Sequence, residues 1–526
     1  MALAAGAVSA QSMESVDLDM VARIRQEAFN HSQVMQTLRE LTEDVGPRLT
    51  ASPNMDKANA WAREKLSGWG MSNVHDEAFD NFGRGWDYSH SRVEMVSPHA
   101  VSLYAIPKAW TPGTNGPVEG DAMIVKIQSK ADLEKYRGKL KGKIAFVSDA
   151  REFKPGTTPA WVRLDNDGLA ALHDFRIPAD RGAAGGDMAD RMARFRERME
   201  LVPTINKFLV DEGVLASVSI SNRDNGIIGV AGGGSRMAGD PVGVPEVAMV
   251  SEQYNQIMRD LKIGHPVRLR IDVDSHFTTE ENRPGYNTIA EIPGTGPKAS
   301  EIVMLGAHMD SWHSATGASD NGAGVAVMME AMRILKAVGA KPNRTVRVAL
   351  WSGEEQGLIG SADYVAKHFA AYPPPKDPEQ AKLPSYFRGG PQGELQFKPE
   401  YNRLSVYFNL DNGSGKIRGV YAQENMASMP IFESWIKPFN DVGATDVVSG
   451  NTGSTDHISF DRVGLPGFQF VQDGLDYFSS VHHTNMDTYD HSSPDDLKQA
   501  AAIVASMVYN ASMQPQRFPR KPMTKN

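Results

Sequence analysis

The chain has 526 residues, 41% hydrophobic and 23% charged, with a formal net charge of -9 and a pI near 5.9. That length exceeds one ordinary core and points to two domains or more. The acidic balance argues against general nucleic-acid binding, and no apolar run approaches the roughly 20 residues of a membrane helix. With no cysteine in the sequence, disulfides, Cys nucleophiles and thiolate metal sites are excluded, so any metal must be held by His and carboxylates.

Residues 1–12, MALAAGAVSAQS, are small and apolar, with Val8-Ser9-Ala10 as a cleavage-like triplet. They read as the end of a secretory signal without its positive start, which points to a secreted or periplasmic protein; the alternative is a flexible terminus. Residues 16–45 read as helical, with Val34, Leu38, Leu41 and Val45 on one face before Gly46-Pro47 ends the run. Residues 56–69 read as another helix, with Ala60, Leu66 and Trp69 inward, and residues 93–106 turn to β character. Residues 13–112 are assigned on this pattern to the first part of the main domain.

Character changes near Gly113. Short β runs at 123–127, 143–147, 246–250 and 267–273 mark residues 113–274 as a β-rich inserted domain. Within it, residues 188–210 form a basic helical stretch. Its Arg191, Arg194, Arg196 and Arg198 suit a solvated face paired with Glu197 and Glu200. Gly232-Gly233-Gly234 is not a phosphate loop, because no Lys-Ser/Thr follows and no strand-to-helix switch surrounds it.

From Asn287 strand and helix alternate, the sign of a mostly parallel sheet with helices on its faces, and residues 275–515 are read as one α/β domain. Candidate strands are 288–292, 302–305, 346–350, 404–410 and 467–471. Between the second and third, Val327, Met328, Met332 and Leu335 recur at helical spacing. The proline-rich stretch 371–400 is long for a connection, so it suits either a wall over a cleft or a surface excursion. Residues 516–526 read as a loose basic tail.

Polar residues gather where these strands end, which is where open α/β sheets bind ligands. His308, Asp320, Glu355, Asp411 and His483 form a candidate metal cage. Imidazole mixed with carboxylate suits zinc, whereas hard-cation sites use oxygen alone. Two His and three carboxylates exceed one tetrahedral ion with an open position, but fit two ions if one carboxylate bridges; Asp320, central and flanked by small residues, is the natural bridge. Asp320 also suits a cap for the following helix. Glu354, adjacent to Glu355, is left to take a proton from an attacking water and pass it to a leaving amine. Asp310 can accept the free N–H of His308, and Asp487 that of His483. Asp456 and His457 are placed on the substrate-lining side.

The runs GAHMDSW, ASDNGAG, WSGEEQGLIGS, FNLDNGSG, STDHISF and HHTNMDT resemble the ordered motifs of metallopeptidase family 28, which includes zinc aminopeptidases and carboxypeptidase Q-like members. The resemblance covers residues 42–112 and 287–512. The section between resembles a protease-associated domain, with residues 141–147, KGKIAFV, as its best cue. The resemblance implies two zinc ions bridged by Asp320, one completed by His308 and Asp411 and the other by Glu355 and His483. It also implies Glu354 as general base and a cis peptide after Asp320. Where some aminopeptidases of the family carry an oxyanion-stabilising Tyr, this chain has His482, which can donate to a tetrahedral intermediate. The expected function is a di-zinc exopeptidase or dipeptidase acting on short peptides. A glutaminyl cyclase-like acyltransferase and a non-catalytic binding protein on the same scaffold are the alternatives. The ligands do not separate aminopeptidase from carboxypeptidase, and the oligomeric state, a homodimer among the options, is not fixed.

Overall fold

The computed structural model of the chain describes residues 16–153, 156–157, 159–174, 197, 201–388 and 393–522. The expected leader over residues 1–12 and most of the arginine-rich stretch, with Arg191, Arg194, Arg196 and Arg198, lie outside the described residues.

The site is carried by an eight-stranded mixed sheet. Its centre is parallel: Ile302–His308 lies between Thr345–Trp351 and Leu404–Asn409, and the last of these pairs with Gly467–Gln472. Alternate side chains of these strands feed two cores, as the strand period of two requires. Val303, Leu305, Val348, Val406 and Phe408 enter one, while Met304, Ala349, Trp351 and Tyr407 enter the other. Both faces are covered, so the strands read as continuous apolar runs rather than as alternation. Gly306 shows how closely they pack: a Cβ there would sit 2.5 Å from the Ala349 carbonyl oxygen and 2.8 Å from the Tyr407 hydroxyl. That hydroxyl accepts from Trp351 Nε1 at 2.7 Å and donates to Asn409 at 2.6 Å.

The outer strands are joined by antiparallel pairings, except that Asp446–Val448 pairs parallel with Ile417–Tyr421. Arg283–Ile292 and Ser72–Gly83 extend one edge; Ile417–Tyr421, followed by Asp446–Val448, extends the other. Helix Ala323–Ala337 is buried at every residue from Ala323 to Leu335, more fully than one apolar face implies. It is wrapped by Leu18–Asn30 and by the C-terminal helix Pro494–Met513. Its two buried charges pair: Arg333 reaches Glu330 at 2.8 Å and Glu27 at 2.7 Å. The tail expected to be loose is held as far as Lys521. Phe518 is buried against Phe432, Trp435 and Phe468, and Lys521 pairs with Asp461 at 2.6 Å.

A second eight-stranded sheet is built from Trp86–Ser97, Val101–Leu103, Ala105–Pro107, Val118–Ile124, Lys143–Phe146, Ala216–Ile220, Glu246–Met249 and Arg268–Phe277. Its own core includes Ile144, Phe146, Val218, Val247, Leu269 and Ile271, with Tyr254 and Met258 from helix Ser251–Lys262. Trp86–Ser97 pairs along its length with Arg268–Phe277, so residues 86–107 lie in this sheet, ahead of the change in composition at Gly113. Their β character carried no mark of which sheet they would join.

The long stretch 371–400 has some structure of its own. Gln396–Phe397 pairs with Ala370–Ala371. Tyr386 meets Ser454 at 3.1 Å, and Phe387 lies against Gly357. It therefore runs over the turn that follows Glu354 and Glu355.

Candidate metal centre

His308 ends the central strand and Asp411 follows the neighbouring one. His308 Nε2 is 3.2 Å from Asp411 Oδ1 and 3.4 Å from Asp320 Oδ1. His483 Nε2 is 2.8 Å from Glu355 Oε2 and 3.2 Å from Asp320 Oδ2. Asp320 thus stands between the two imidazoles, with one carboxylate oxygen toward each. Glu354 Oε2 is 4.0 Å from His308 Nε2, beyond contact. His482 stacks on His483 with ring centres 3.7 Å apart, and its Nε2 is 3.8 Å from Asp320 Oδ2. Residues distant in sequence therefore converge on one small volume.

The backbone around Asp320 is tightly set. The Asp320–Asn321 peptide is cis. Asn321, not Asp320, serves the first turn of the following helix: its Oδ1 accepts from Gly324 N at 3.1 Å while its Nδ2 donates to the Leu410 carbonyl at 2.9 Å. That second bond ties the Asp320 turn to the residue before Asp411. His483 sits at φ +58, a left-handed conformation that non-glycine residues hold where the surroundings enforce it.

Two supporting carboxylates act differently from the sequence expectation. The Nδ1 of His308 bonds the backbone carbonyl of Asp310 at 2.9 Å, not its carboxylate, which is 3.6 Å away. Two residues on, the chain has turned enough for the nearer main-chain oxygen to arrive first. The Asp310 carboxylate instead accepts from Thr50 Oγ1 at 2.9 Å and from the N–H groups of Glu354 and Glu355 at 3.3 Å each. It seats the turn that aims the two glutamates. Asp487 does not serve His483; it accepts from Ser319 N at 2.6 Å and Asp320 N at 3.2 Å. Asp456 and His457, expected to line the substrate, are wholly buried at the start of the short helix His457–Asp461, which packs on strand Gly467–Gln472. The side chain of His457 turns inward to the Thr452 carbonyl.

Arg48 was not singled out by the sequence. It is fully buried and donates to the carbonyls of Gly46, Met309, Thr316 and Gly317 at 2.6–3.1 Å, stapling the loop that leads to Asp320. Thr50, two residues on, also accepts from Gly353 N at 3.0 Å. The one local cue is an Arg and a Thr directly after the helix-ending Gly46-Pro47, in GPRLT.

The electrostatics ask for positive charge. Burial pushes Glu354 well above the ordinary carboxylate range, and the negative charges of Asp411, Asp456 and Glu355 add to it against the pull of His308. Burial likewise lifts Glu355, to about 7, with Asp320 adding to the effect. Burial disfavours the charged form of His308 and His483, yet the surrounding carboxylates outweigh it and hold both imidazoles well above their usual value. Asp320 is kept low despite burial because both imidazoles contact it. Glu355 Oε1 is buried without a hydrogen-bond partner, and Asp320 Oδ2, 3.2 Å from His483 Nε2, makes no well-aligned bond. Buried polar atoms are rarely left so, and a bound ion is one reason when they are. Imidazoles with carboxylates are the donor set zinc takes, so the residues present fit that ion.

Residues 287–508 match the model of peptidase family M28. Carboxypeptidase Q of Bos taurus is 27% identical over 490 residues, 92% of this chain and 86% of that protein. Among solved structures, a Peptidase M28 precursor from Shewanella amazonensis SB2B is 24% identical with a TM-score of 0.65, covering 97% of this chain and 100% of that one. BSAP, a zinc aminopeptidase from Bacillus subtilis, is 19% identical with a TM-score of 0.55, covering 92% and 95%; both likenesses are of fold. The chain therefore matches peptidase family M28 over residues 287–508, and it is a metallopeptidase.

Proposed function

We propose that this metallopeptidase is a di-zinc exopeptidase that hydrolyses peptide bonds of short peptides. The observation that carries the reading is Asp320, buried between two imidazoles, each paired with a further carboxylate. His308, Asp411 and Asp320 would hold one ion; Glu355, His483 and Asp320 the other. Bound zinc would supply Lewis-acid polarisation of the scissile carbonyl and lower the pKa of water. Glu354 takes the proton of the attacking water and delivers it to the amine as the C–N bond breaks. Burial lowers the pKa of His482, which keeps its imidazole neutral and able to donate an N–H to the oxyanion. The second sheet is the protease-associated insertion in this reading, and the carboxypeptidase name of relatives spanning 92% of the chain favours action at one end of a peptide. No helix among the described residues is long and apolar enough to cross a membrane. Export rests on residues 1–12 alone.

The test is turnover of free dipeptides before and after chelation. Activity is expected to vanish with chelator and return with zinc. In the zinc-restored protein, H482A is expected to lower kcat by about 10²-fold with little change in KM, the scale of one lost oxyanion donor. Hydrolysis that survives complete metal removal contradicts the reading; an H482A effect confined to KM removes His482 from the oxyanion role.

A further inference from the structure

Residues 473–485 carry His482 and His483, and two connections of the second sheet grip them, one at each end. The connection that follows strand Lys143–Phe146 holds the near end. Val162 and Leu475 exchange backbone bonds at 2.8 Å each, Leu164 N donates to Asp473 Oδ1 at 3.0 Å, and Ser479 Oγ donates to the Ala160 carbonyl. Arg163 reaches Asp473 at 2.9 Å and Asp496 at 2.7 Å, two carboxylates that are almost wholly buried. The connection between strands Ala216–Ile220 and Glu246–Met249 holds the far end. Val230 N donates to the His483 carbonyl at 3.0 Å, and Asn485 N to the Ile228 carbonyl at 3.1 Å. Ile228 N returns a bond to Asn485 Oδ1 at 2.7 Å.

The other four cage residues are held from outside the second sheet. The Asp310 carbonyl takes His308 Nδ1, the Asp310 carboxylate takes the Glu355 N–H, Asp487 takes the Asp320 N–H, and Asn321 ties the residue before Asp411. His483 differs. Its main chain stands at φ +58, and the bond to its carbonyl comes from Val230. A residue in that conformation keeps it while its surroundings enforce it and relaxes when they let go. The near grip turns on a buried charge. Without Arg163, Asp473 would keep Arg418 at 2.9 Å, but Asp496 would have no cation within ion-pair distance among the described residues. A buried carboxylate left that way pushes its surroundings apart or takes up a proton.

We propose that the second sheet sets the strength of one of the two metal sites. Its grip on residues 473–485 holds His483 against Glu355 and Asp320, so the ion on the Glu355–His483 side is bound tightly while the grip lasts. The ion on the His308–Asp411 side does not depend on it. The inference rests on the di-zinc reading above. Arg163 and Asn485 are positioning residues here: neither reaches the cage, and both act through the main chain that presents His483. Partners that orient a metal ligand contribute about 10- to 100-fold in metal affinity, and in this chain that contribution falls on one ion of the pair. The two sites are therefore unequal, and loosening the second sheet from the loop empties the Glu355–His483 side first.

The experiment is zinc titration of the full chain against a chromophoric chelator, with each side of the cage isolated. D411A leaves the Glu355–His483 side, and H483A leaves the His308–Asp411 side. Adding R163M is expected to weaken zinc binding about 10- to 100-fold in the D411A protein and to leave that of the H483A protein unchanged, with R163K restoring part of the loss. N485A, which removes one bond of the far grip, is expected to act in the same direction and by less. If R163M does not fold, N485A decides by the same comparison. Equal weakening on both backgrounds would make these residues general struts of the fold, and no weakening on D411A would show that His483 is held without the second sheet; either result overturns the proposal. The wild type is titrated in parallel. Uptake of one zinc there contradicts the di-zinc reading itself, whereas uptake of two with either contrary result above overturns the grip alone.

Discussion

Glu354→Gln is expected to lower kcat by about 10²- to 10⁴-fold, the usual contribution of a positioned general base, while zinc content stays at the wild-type level. The substitution keeps the shape and removes the proton-accepting oxygen. Glu354 stands apart from the cage: it is 4.0 Å from His308, where Asp411 and Asp320 approach to 3.2 and 3.4 Å. Its backbone N–H is held by the Asp310 carboxylate, so the turn that carries it is fixed beside the cage. Burial among negative neighbours raises its affinity for a proton, which suits a group that must take one and release it in each turnover. Near-normal activity in the variant would remove Glu354 from the proton path, and loss of zinc would make it a ligand instead. Both are read from kcat and from metal analysis of the same sample.

Asp320→Ala is expected to abolish turnover and zinc binding together. Among the described residues Asp320 is the one side chain within ion-pair distance of both imidazoles, so its loss strips each half-site at once, whereas Asp411→Ala should weaken one ion more than the other. Zinc that binds the folded state stabilises it by mass action, so wild-type Tm should rise on adding zinc and the Asp320→Ala Tm should not. The buried imidazoles would face each other with less negative charge between them, which should also lower the Tm of the metal-free protein. A variant that keeps wild-type zinc content and activity would show that Asp320 does not bridge.

Much of this centre could be read in the sequence because its residues sit where local patterns break. His308 and Asp411 each follow an apolar strand run, and Glu354 and Glu355 follow another beside Gly353. Patterns of that kind place a residue at a sheet edge but do not give its direction. Asp310 was expected to use its carboxylate on His308 and uses its carbonyl; Asp487 was expected at His483 and holds the backbone of Asp320. Asp456 and His457 were placed on the substrate-lining side, yet packing of their short helix buries them. Arg48 was invisible for the opposite reason: its partners are four main-chain carbonyls, which carry no side-chain signal. The outer strands Ile417–Tyr421 and Asp446–Val448 were not distinguished, because short edge strands lack the long apolar runs that marked the centre.

X-ray diffraction from zinc-loaded crystals, with data collected on both sides of the zinc absorption edge, tests the central claim most directly. Two anomalous peaks are expected, roughly 3.5–4 Å apart, with Asp320 reaching both, His308 and Asp411 at one and Glu355 and His483 at the other. A single peak, or none between the two histidines, would contradict the account.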